Sequence, residues 1–594
     1  MARRKDVQAI QPTPAVTAPA SAPKLPPPPP RKPPSKGRML VLFARIALCL
    51  FALKIIWNKM HPKEEVQEDK DRSEQGVYEP IEVDEVRRGA VLQAFKHSYR
   101  AYEKDAFGFD DYHPISHTGG NMSPAGPVGY FVIDSLDSLL ITGLKEEYQR
   151  ARDWVADLSF DLDDKFHTFE ITIRVLGGLL SAFHLSGETD GMLLDKAVNL
   201  ADRLLPAFDT PSGLPLSFVN LAKRTGIPDA DNRGMTSVAE AGTLQVRFNY
   251  SLPVRSTLTL VLLQLEMKYL SELTGNPVYW QKAEKVMEVI RAQPSKDGLV
   301  PIFMRPDTGS FVFSDIRLGS RGDSYYEYLA KQHLQTNRTE PVYKEMHDVA
   351  MDGVKKHLLK TSPVKRLVYT SELQPKRAQS GQFELSDTPK QDHLVCFLGA
   401  SLLLGVTEAA GPLPPDESAF TDAQADDWYA GRALIKTCVD TYTSSKTGLA
   451  PEIVNFFRDS ASAKKAGRDW FIDSRRLTHP NPPIDARNIL RPETAESLFV
   501  AYRLTGDPIY RTWGWTIFNA FVKHCRLPEG GYASVLDVDE VPVKYEDRME
   551  TFWISETLKY LYLLFSEKEL IPLDRYTFNT EAHPLPVFTP TISV

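Results

Sequence analysis

The chain contains few cysteines, and they are spaced too widely to form a zinc site of the usual kind. Only four occur in 594 residues, Cys49, Cys396, Cys438 and Cys525, and no two are separated by just two residues. Structural zinc sites are commonly built from Cys-x-x-Cys pairs, so the sequence argues against such a site. The chain also lacks the His-Glu-x-x-His, Gly-x-Ser-x-Gly and Walker A sequences. The corresponding signatures of metallopeptidases, α/β-hydrolases and P-loop nucleotide hydrolases are therefore absent.

Positive charge is scarce outside the first 38 residues. Residues 1–38 carry eight Lys and Arg residues against one Asp, a net charge of +7, so the total of −7 leaves −14 for the other 556 residues. Phosphate contacts require clustered Lys and Arg. A body this acidic therefore argues against nucleic acid as a partner.

Three segments precede the part of the chain that has a globular pattern. Residues 1–38 contain eleven prolines and few large apolar residues, which predicts a disordered, basic cytoplasmic tail. The apolar run 39–57 has nineteen residues, about the length that spans a bilayer as a helix, although it contains Arg45 and Lys54. We interpret it as a single-pass transmembrane signal anchor with a cytoplasmic N-terminus; an amphipathic surface helix and a cleaved signal are the alternatives. Residues 58–83 are expected to form a luminal stem.

Residues 84–594 show the pattern of a mainly helical domain. Long apolar-periodic stretches meet at short turns in which Thr and Gly precede a Tyr, as at Thr274-Gly275 and Thr505-Gly506. Gly ends one helix, and Asn or Asp followed by Pro begins the next, so each turn predicts a helical hairpin. Hairpins stacked in a ring would make an α/α barrel, and the irregular spacing of the turns argues against the alternative, a solenoid. Short β-hairpins are expected at 300–313 and in the last twenty residues.

Five acidic segments recur among residues that otherwise belong in a core. Each sets carboxylates beside aromatic or apolar side chains, and together they are residues 134–139, 169–174, 321–328, 491–497 and 552–557. A buried, ionised carboxylate without a partner is costly, so this repetition predicts a polar cavity inside an apolar body. Glycoside hydrolysis requires such a cavity, with one acid, one base and further carboxylates to hold sugar hydroxyls.

Two pairs in these segments have the spacing of one helix face. Glu170 and Arg174 are four residues apart, which fits either an oriented general acid or an ordinary ion pair on a helix. Asp323 and Glu327 have the same spacing among several tyrosines, which suits sugar binding or a plain core helix. The spacing alone leaves these alternatives open.

A third pair, Glu493 and Glu496, follows Pro492 and should lie in the first turn of a helix. A single carboxylate near the positive end of a helix is usually only a capping group. Two of them, preceded by Arg491 and followed by apolar residues, favour a functional site.

Three Asn-x-Ser/Thr sequons are candidates for N-glycosylation, at Asn121, Asn249 and Asn337. Sequons also arise by chance in a chain of this length. Together with a signal anchor, they give weak support to a luminal domain.

In combination and in this order, the acidic segments make the chain resemble the class I α-1,2-mannosidases, glycoside hydrolase family 47. The resemblance runs from about residue 86 to residue 587 and includes the further segments 392–398, 451–454 and 578–584. It implies an all-α fold, an (α/α)7 barrel closed at one end by a C-terminal hairpin. It also implies inverting, Ca2+-dependent removal of terminal α-1,2-linked mannose from high-mannose N-glycans on glycoproteins.

The resemblance also assigns roles to individual residues. Glu170 matches the general acid, which acts through a water, and Glu493 matches the favoured general base, with Asp323 as the other candidate. The substrate-binding residues that it implies are Arg174, Arg321, Glu327, His393, Glu452, Arg491 and Phe552.

The same resemblance implies a calcium site. The hydroxyl and main-chain oxygen of Thr580 would bind the ion directly, and Glu496, Glu556 and Glu581 would hold waters on it. A hard cation with oxygen ligands fits a chain without a His/Cys cluster.

Cys396 and Cys438 match the family's disulfide pair, which is plausible in an oxidising lumen and would leave Cys525 free.

Arg321 bears on specificity within the family. The endoplasmic-reticulum subgroup, which mainly removes one mannose from a nine-mannose glycan, carries Arg at this position, whereas the Golgi subgroup, which trims several, tends to carry Leu. We therefore expect conversion of Man9 to Man8 by an enzyme of the endoplasmic-reticulum membrane. Golgi-type trimming, and a quality-control lectin with the same barrel, are the alternatives.

The chain departs from the family's usual pattern at Asp110-Asp111, at 398–400 and in the loop 119–127. None of these departures touches a proposed catalytic carboxylate.

Overall fold

Helices are the main regular elements of the structure, a computed structural model that describes residues 80–238, 264–378, 381–473 and 483–592. The expected tail, the expected membrane anchor, residues 58–79 of the expected stem and the sequon at Asn249 lie outside the described residues.

The described residues form both long and short helices. In chain order they are α1 (Glu85–Ala106), α2 (Tyr130–Asp134), α3 (Leu136–Ile141), α4 (Lys145–Asp157), α5 (Thr168–Leu185), α6 (Gly191–Leu204), α7 (Gln264–Thr274), α8 (Val278–Arg291), α9 (Asp323–Gln335), α10 (Pro341–Gly353), α11 (Phe397–Thr407), α12 (Asp422–Thr443), α13 (Ser460–Ala466), α14 (Glu493–Thr505), α15 (Ile509–His524) and α16 (Leu558–Leu564). α5 contains a π-helical stretch, Ile171–Leu176, and a π-helical turn, Trp553–Thr557, leads into α16.

Neighbouring helices pack in two ways. Consecutive helices form hairpins, as α5 does with α6, α7 with α8, α9 with α10, α11 with α12, and α14 with α15. The first members of these hairpins also pack side by side: α5 contacts α7, α7 contacts α9, α9 contacts α11, and α11 contacts α14. α14 packs against α16, and the π turn before α16 packs against α3, which contacts α5.

The predicted turn chemistry is confirmed at two hairpins. Gly275 and Gly506 end α7 and α14 with φ angles of 67° and 72°, in the left-handed region where a Cβ is disfavoured. The residue after each glycine accepts a hydrogen bond from the first turn of the following helix. The Asn276 carboxamide oxygen accepts from the Val278 amide at 3.2 Å, and the Asp507 carboxylate accepts from the Ile509 amide at 3.0 Å.

Short antiparallel strands lie between the helices. They are β1 (Asp111–His113), β2 (Thr118–Gly120), β3 (Lys165–His167), β4 (Phe218–Asn220), β5 (Thr225–Ile227), β6 (Thr236–Ser237), β7 (Phe303–Met304), β8 (Phe311–Val312), β9 (Leu359–Thr361), β10 (Val368–Thr370), β11 (Glu372–Arg377), β12 (Phe383–Thr388), β13 (Lys390–Asp392), β14 (Ile453–Phe456), β15 (Trp470–Phe471), β16 (Ser534–Val535), β17 (Tyr545–Glu546), β18 (Tyr576–Phe578) and β19 (Pro584–Pro586). The hairpins predicted at 300–313 and near the C-terminus are confirmed as β7–β8 and β18–β19. The three-stranded sheets β3–β4–β5, β6–β7–β8 and β13–β14–β15 were not expected.

α5 is the one helix of the described residues that is long and apolar enough to cross a membrane. Its apolar window is 89% buried inside the protein, and it carries Glu170 and Arg174. It therefore has the character of a core helix.

A glycine lets the C-terminal hairpin approach α5 closely. A Cβ added at Gly177 would lie 2.6 Å from the side-chain nitrogen of Asn579, in the turn between β18 and β19. Any larger side chain at position 177 would push this turn away from α5.

The expected disulfide is confirmed. Cys396, at the end of a 3₁₀ turn, is bonded to Cys438 on α12, and Cys525 is buried and free.

Candidate active site

A pocket opens between α9, α14, the π-helical turn before α16 and the turn between β18 and β19. Carboxylates dominate its lining, and all of them were singled out in the sequence: Asp323, Glu327, Glu493, Glu496, Glu556 and Glu581.

The carboxylate of Glu493 is held by two basic side chains. His393 Nδ1 lies 2.8 Å from one carboxylate oxygen, and an Arg491 guanidinium nitrogen lies 3.6 Å from the other. Burial alone would raise the pKa of Glu493, but the His393 hydrogen bond and the Arg491 charge outweigh burial and leave that pKa below its ordinary value. Glu493 is therefore ionised at neutral pH, as a general base must be.

Asp323 has the opposite character. Burial, together with the nearby charges of Glu327 and Glu493, raises its pKa well above the ordinary value. Its oxygen Oδ1 accepts only local hydrogen bonds, from the Ser324 amide at 2.8 Å and the Ser324 hydroxyl at 3.4 Å. These surroundings disfavour the ionised form of Asp323, whereas the partners of Glu493 favour its ionised form.

Arg491 is fixed by Glu452. Its guanidinium donates to both Glu452 carboxylate oxygens at 2.6–2.9 Å, and the two side chains are almost fully buried. A bidentate pair of this kind fixes the plane of the guanidinium as well as its position. Glu452 therefore acts on the pocket through Arg491.

Arg174 joins three carboxylates on the other side of the pocket. Its guanidinium lies 2.8 Å from Glu170 and 2.6 Å from Glu581, and 3.6 Å from Asp134. Glu170 and Arg174 thus share one helix face, as their spacing predicted, but the arginine is part of a buried network and not of a simple pair on the helix surface. Glu170 reaches the pocket lining through Arg174 and Glu581.

Phe552 lies between the two arginines. The guanidinium carbons of Arg174 and Arg491 lie 5.9 Å and 5.8 Å from its ring centroid, within the range of cation–π contacts. Phe552 also lines the pocket, so the contacts fix an aromatic surface against which a sugar ring can pack.

Lys331 neutralises part of the pocket's charge. It follows Glu327 by one helical turn on α9, and its ammonium lies 2.5 Å from Glu327 and 3.1 Å from Glu496. The Lys331 side chain is only 4% exposed. One buried cation therefore links the carboxylates of α9 and α14.

Thr580 lies in the turn between β18 and β19, at the base of the pocket. Its hydroxyl donates to Glu327 at 3.0 Å, and its amide donates to the Tyr328 hydroxyl at 3.1 Å. The neighbouring Asn579 shapes the turn, because its side-chain oxygen accepts from the amides of Glu581 and His583, both at 2.9 Å.

A buried ionic network holds this turn against the helices. The His583 ring lies between Asp137, at 2.8 Å, and Asp134, at 3.2 Å. Lys559 contacts Asp137 at 2.8 Å and donates to the Ala582 carbonyl at 2.7 Å. The first acidic segment of the sequence therefore anchors the C-terminal hairpin.

Arg321 does not line the pocket. It lies two residues before Asp323 with a left-handed backbone, φ 74°, and its guanidinium carbon is 5.5 Å from the centroid of the Phe303 ring on β7.

The sequon residues Asn121 and Asn337 are both exposed, and the Asn337 side chain donates to the Thr589 hydroxyl at 3.1 Å.

The comparison with protein families identifies the chain. Residues 94–252 and 254–587 match the model of glycosyl hydrolase family 47. The chain belongs to glycosyl hydrolase family 47. It is therefore a glycosidase.

Named relatives of this family 47 chain extend over most of its length. A Candida albicans protein named mannosyl-oligosaccharide 1,2-alpha-mannosidase is 45% identical over 512 residues, 84% of this chain and 83% of the relative. A Schizosaccharomyces pombe protein named endoplasmic reticulum mannosyl-oligosaccharide 1,2-alpha-mannosidase is 42% identical over 512 residues, 84% of this chain and 89% of the relative. Among solved structures, the alpha-1,2-mannosidase from Trichoderma reesei is 29% identical with a TM-score of 0.68, covering 85% of this chain and 100% of that one.

Family 47 is generally a family of metalloenzymes, and the donors around Thr580 fit a hard cation. They are hydroxyls and carboxylates only, the oxygen ligands that Ca2+ prefers. Burial raises the pKa of Glu581 to about 8, and burial with the adjacent Glu581 raises the pKa of Glu556 well above its ordinary value, which indicates an excess of acid groups in the pocket. The described residues contain no group of three or more His, Cys, Asp or Glu side chains that could hold a metal ion by themselves.

Several contacts of this family 47 pocket were not anticipated. Lys331 is one, although its four-residue spacing from Glu327 was a usable signal. Tyr442, whose hydroxyl lies 2.9 Å from His393 Nε2, is another, and it is separated from His393 by 49 residues. No local pattern connects two positions so far apart.

Proposed function

We propose that the chain hydrolyses terminal α-1,2-linked mannose from high-mannose N-glycans of glycoproteins, with inversion at the anomeric carbon and dependence on Ca2+. The observation that carries the proposal is the position of Glu493, which lines the pocket beside Asp323 and whose carboxylate contacts His393 at 2.8 Å and Arg491 at 3.6 Å. An inverting glycosidase requires a carboxylate that can take a proton from water on one face of the sugar. The names of the relatives supply the substrate class.

In this proposal, Glu493 is the general base and Glu170 the general acid. Glu493 accepts a proton from the attacking water while Arg491 and His393 hold its carboxylate. Glu170 donates a proton to the leaving oxygen through a water, which agrees with its position behind Arg174 and outside the pocket lining. Phe552 supports the face of the mannose ring.

Thr580 would bind calcium through its hydroxyl and main-chain oxygens, and Glu496, Glu556 and Glu581 would hold the ion's waters. When bound, calcium supplies positions at which sugar hydroxyls replace water. Thr580 is prepared for this role because its turn is fixed by Asn579 and its amide is held by Tyr328.

We also propose an (α/α)7 barrel, whose inner wall is formed by the helices that pack side by side. The side-by-side contacts that run from α3 through α5, α7, α9, α11, α14 and the π turn before α16 back to α3 support it. The β18–β19 hairpin would close one end, since Asn579 donates to the Ile173 carbonyl of α5 at 2.8 Å.

Relatives named as endoplasmic reticulum enzymes support an endoplasmic-reticulum location. We propose a type II membrane protein, anchored by residues 39–57, with its catalytic domain in the lumen.

The decisive experiment incubates the purified full chain with a nine-mannose glycan and follows the released sugar by NMR. Release of β-mannose, lost on chelation and restored by Ca2+, is expected. Release of α-mannose would contradict inversion, and tight binding of the glycan without release would favour the lectin alternative.

The specificity assigned to Arg321 is tested on the same glycan. Arg321→Leu should let trimming continue beyond Man8, because the arginine would no longer restrict which branch enters the pocket. A product series identical to that of the wild type would remove the basis for the endoplasmic-reticulum subgroup.

A further inference from the structure

His393 contacts protein groups at both ring nitrogens. Nδ1 lies 2.8 Å from Glu493, and Nε2 lies 2.9 Å from the Tyr442 hydroxyl and 3.3 Å from the Thr494 hydroxyl. The His393 side chain is only 2% exposed. With both nitrogens occupied, its direct role is to orient Glu493 and not to bind sugar.

The chemistry of these groups sets the direction of each hydrogen bond. An ionised Glu493 can only accept, so Nδ1 carries the hydrogen, and in the neutral ring Nε2 must then accept. Tyr442 is buried, and burial raises the pKa of its phenol, so the hydroxyl stays protonated; it can donate to Nε2 of a neutral ring, and it also hydrogen-bonds to the Thr494 side chain. A partner on one ring nitrogen determines what the other can do.

The backbone around this chain of contacts is tied at two places. The Cys396–Cys438 disulfide lies three residues after His393 and four before Tyr442, so it joins the two segments that carry them. Ser497, one turn after Glu493 on α14, donates to the Cys396 carbonyl at 2.5 Å and accepts from the Ala400 amide at 2.9 Å. The segment of His393 is thereby joined to both α12 and α14.

The aromatic packing of Tyr442 does not depend on its hydroxyl. Its ring lies edge-on to His393 and to Phe521, with centroids 5.7 Å and 6.2 Å apart. Phenylalanine keeps these contacts, so the contribution of the hydroxyl is separable from that of the ring.

We propose that Tyr442 is a positioning residue, whose hydroxyl holds the His393 ring in the orientation that donates to Glu493 and so keeps this carboxylate aimed into the pocket. The inference rests on the proposed function, in which Glu493 is the base. It adds a third member, remote in sequence, to the pair formed by Glu493 and His393.

Tyr442→Phe in the full chain is the first test. The kcat on a nine-mannose glycan should fall roughly 10–100-fold with KM within about twofold of wild type, since comparable losses follow removal of an orienting partner. Without the orienting bond, Glu493 is a less stabilised anion, so the acidic limb of the kcat/KM profile should move to higher pH. The other charged groups that face Glu493 are unchanged in this variant: Arg491, Asp323, Glu496 and Glu556.

Two matched variants control for the loss of a buried phenol. Tyr99→Phe removes a buried hydroxyl that has no hydrogen-bond partner, and Tyr279→Phe removes a hydroxyl that donates to Asp202 at 2.7 Å and also hydrogen-bonds to Asn276, far in sequence from the pocket residues. Both should retain the wild-type pH profile, whatever their melting temperatures. A shift of the acidic limb in either control equal to that in Tyr442→Phe would overturn the inference.

A double-mutant cycle keeps the inference testable if Tyr442→Phe is unstable. His393→Asn retains a donor toward Glu493 but has no Nε2, so adding Tyr442→Phe to it should cost less in kcat and melting temperature than adding Tyr442→Phe to the wild type. Effects that multiply in kcat, or add in melting temperature, would overturn the inference. If the wild type releases no mannose, the proposed function fails, and the melting-temperature cycle alone still tests the contact between Tyr442 and His393.

Discussion

Glu493 and Asp323 face the same pocket, but their surroundings shift their pKa values in opposite directions. Glu493 has two basic partners, whereas Asp323 is buried beside other carboxylates. At the scale of single residues, the division of labour in this pocket therefore depends on neighbours and not on residue type.

The first prediction compares these two acids. Glu493→Gln should lower kcat by about 10²–10⁴-fold, because it removes the base, while glycan binding stays measurable. Asp323→Asn imitates the protonated side chain and should lose less. Steady-state kinetics and glycan titration measure both effects, with the exposed Glu288→Gln as the control. Near-normal turnover of Glu493→Gln would refute its role as base.

The second prediction concerns Lys331. Lys331→Met leaves Glu327 and Glu496 without their shared cation, which should lower the free energy of unfolding by about 3–5 kcal/mol. The control is Lys285→Met, whose pair with Glu288 is about half exposed and should contribute at most about 1 kcal/mol. Urea unfolding at neutral pH measures both. Equal losses in the two variants would contradict the importance of the buried cation.

At the scale of elements, the polar groups of its turn help to hold the β18–β19 hairpin against the helices. Asn579 alone accepts from two amides and donates to the Ile173 carbonyl and, at 2.7 Å, to Glu266. Gly177 on α5 leaves the space that this side chain needs. The π-helical stretches of α5 and of the segment before α16 carry Arg174 and Glu556, an arrangement frequent at functional sites.

The third prediction tests this hairpin. Asn579→Ala leaves several buried groups unpaired and should lower the free energy of unfolding by roughly 1–3 kcal/mol for each group that stays unsatisfied. It should also weaken calcium binding, because Thr580 is the next residue. Thr577→Val is the matched control on the same hairpin, since the Thr577 hydroxyl is buried without a partner. Calorimetric calcium titration measures the calcium affinity, and urea unfolding measures the free energy of unfolding. Loss of stability in Thr577→Val but not in Asn579→Ala would contradict the stabilising role of Asn579.

At the scale of the whole molecule, acidic groups are concentrated in the pocket. Six carboxylates line it, and Arg491 is the basic residue of its lining, with Lys331 and Arg174 behind. A bound divalent cation would offset this excess of negative charge and favour the folded state over the unfolded one.

The fourth prediction follows from that charge excess. Chelation should lower the melting temperature, and calcium at about 100 times its Kd should restore about 2.7 kcal/mol of stability. Potassium at the same ionic strength should not. Thr580→Val, which lacks the proposed ligand hydroxyl, should lose most of the calcium-dependent rise. A wild-type melting temperature that chelation leaves unchanged would contradict a structural contribution from the metal.

Local sequence was sufficient for several helix ends and hairpins and for which residue types gather at the site. Helix ends at Gly275 and Gly506, the two predicted β-hairpins and the shared face of Glu170 and Arg174 depend on contacts within a few residues, where backbone geometry and spacing decide the outcome. The disulfide between Cys396 and Cys438 required the resemblance to a known family, because three cysteines of the domain allow more than one pairing.

Only the tertiary structure decided the partners and the protonation of those residues. His393 meets Glu493 across 100 residues of chain, His583 meets Asp134 across 449, and Tyr442 reaches His393 from a different helix. The pKa of a carboxylate depends on burial and on charges within a few ångströms, and neither is encoded by spacing along the chain. The sequence by itself therefore determined that this protein gathers acids in a helical body, and folding determined which of them has basic partners.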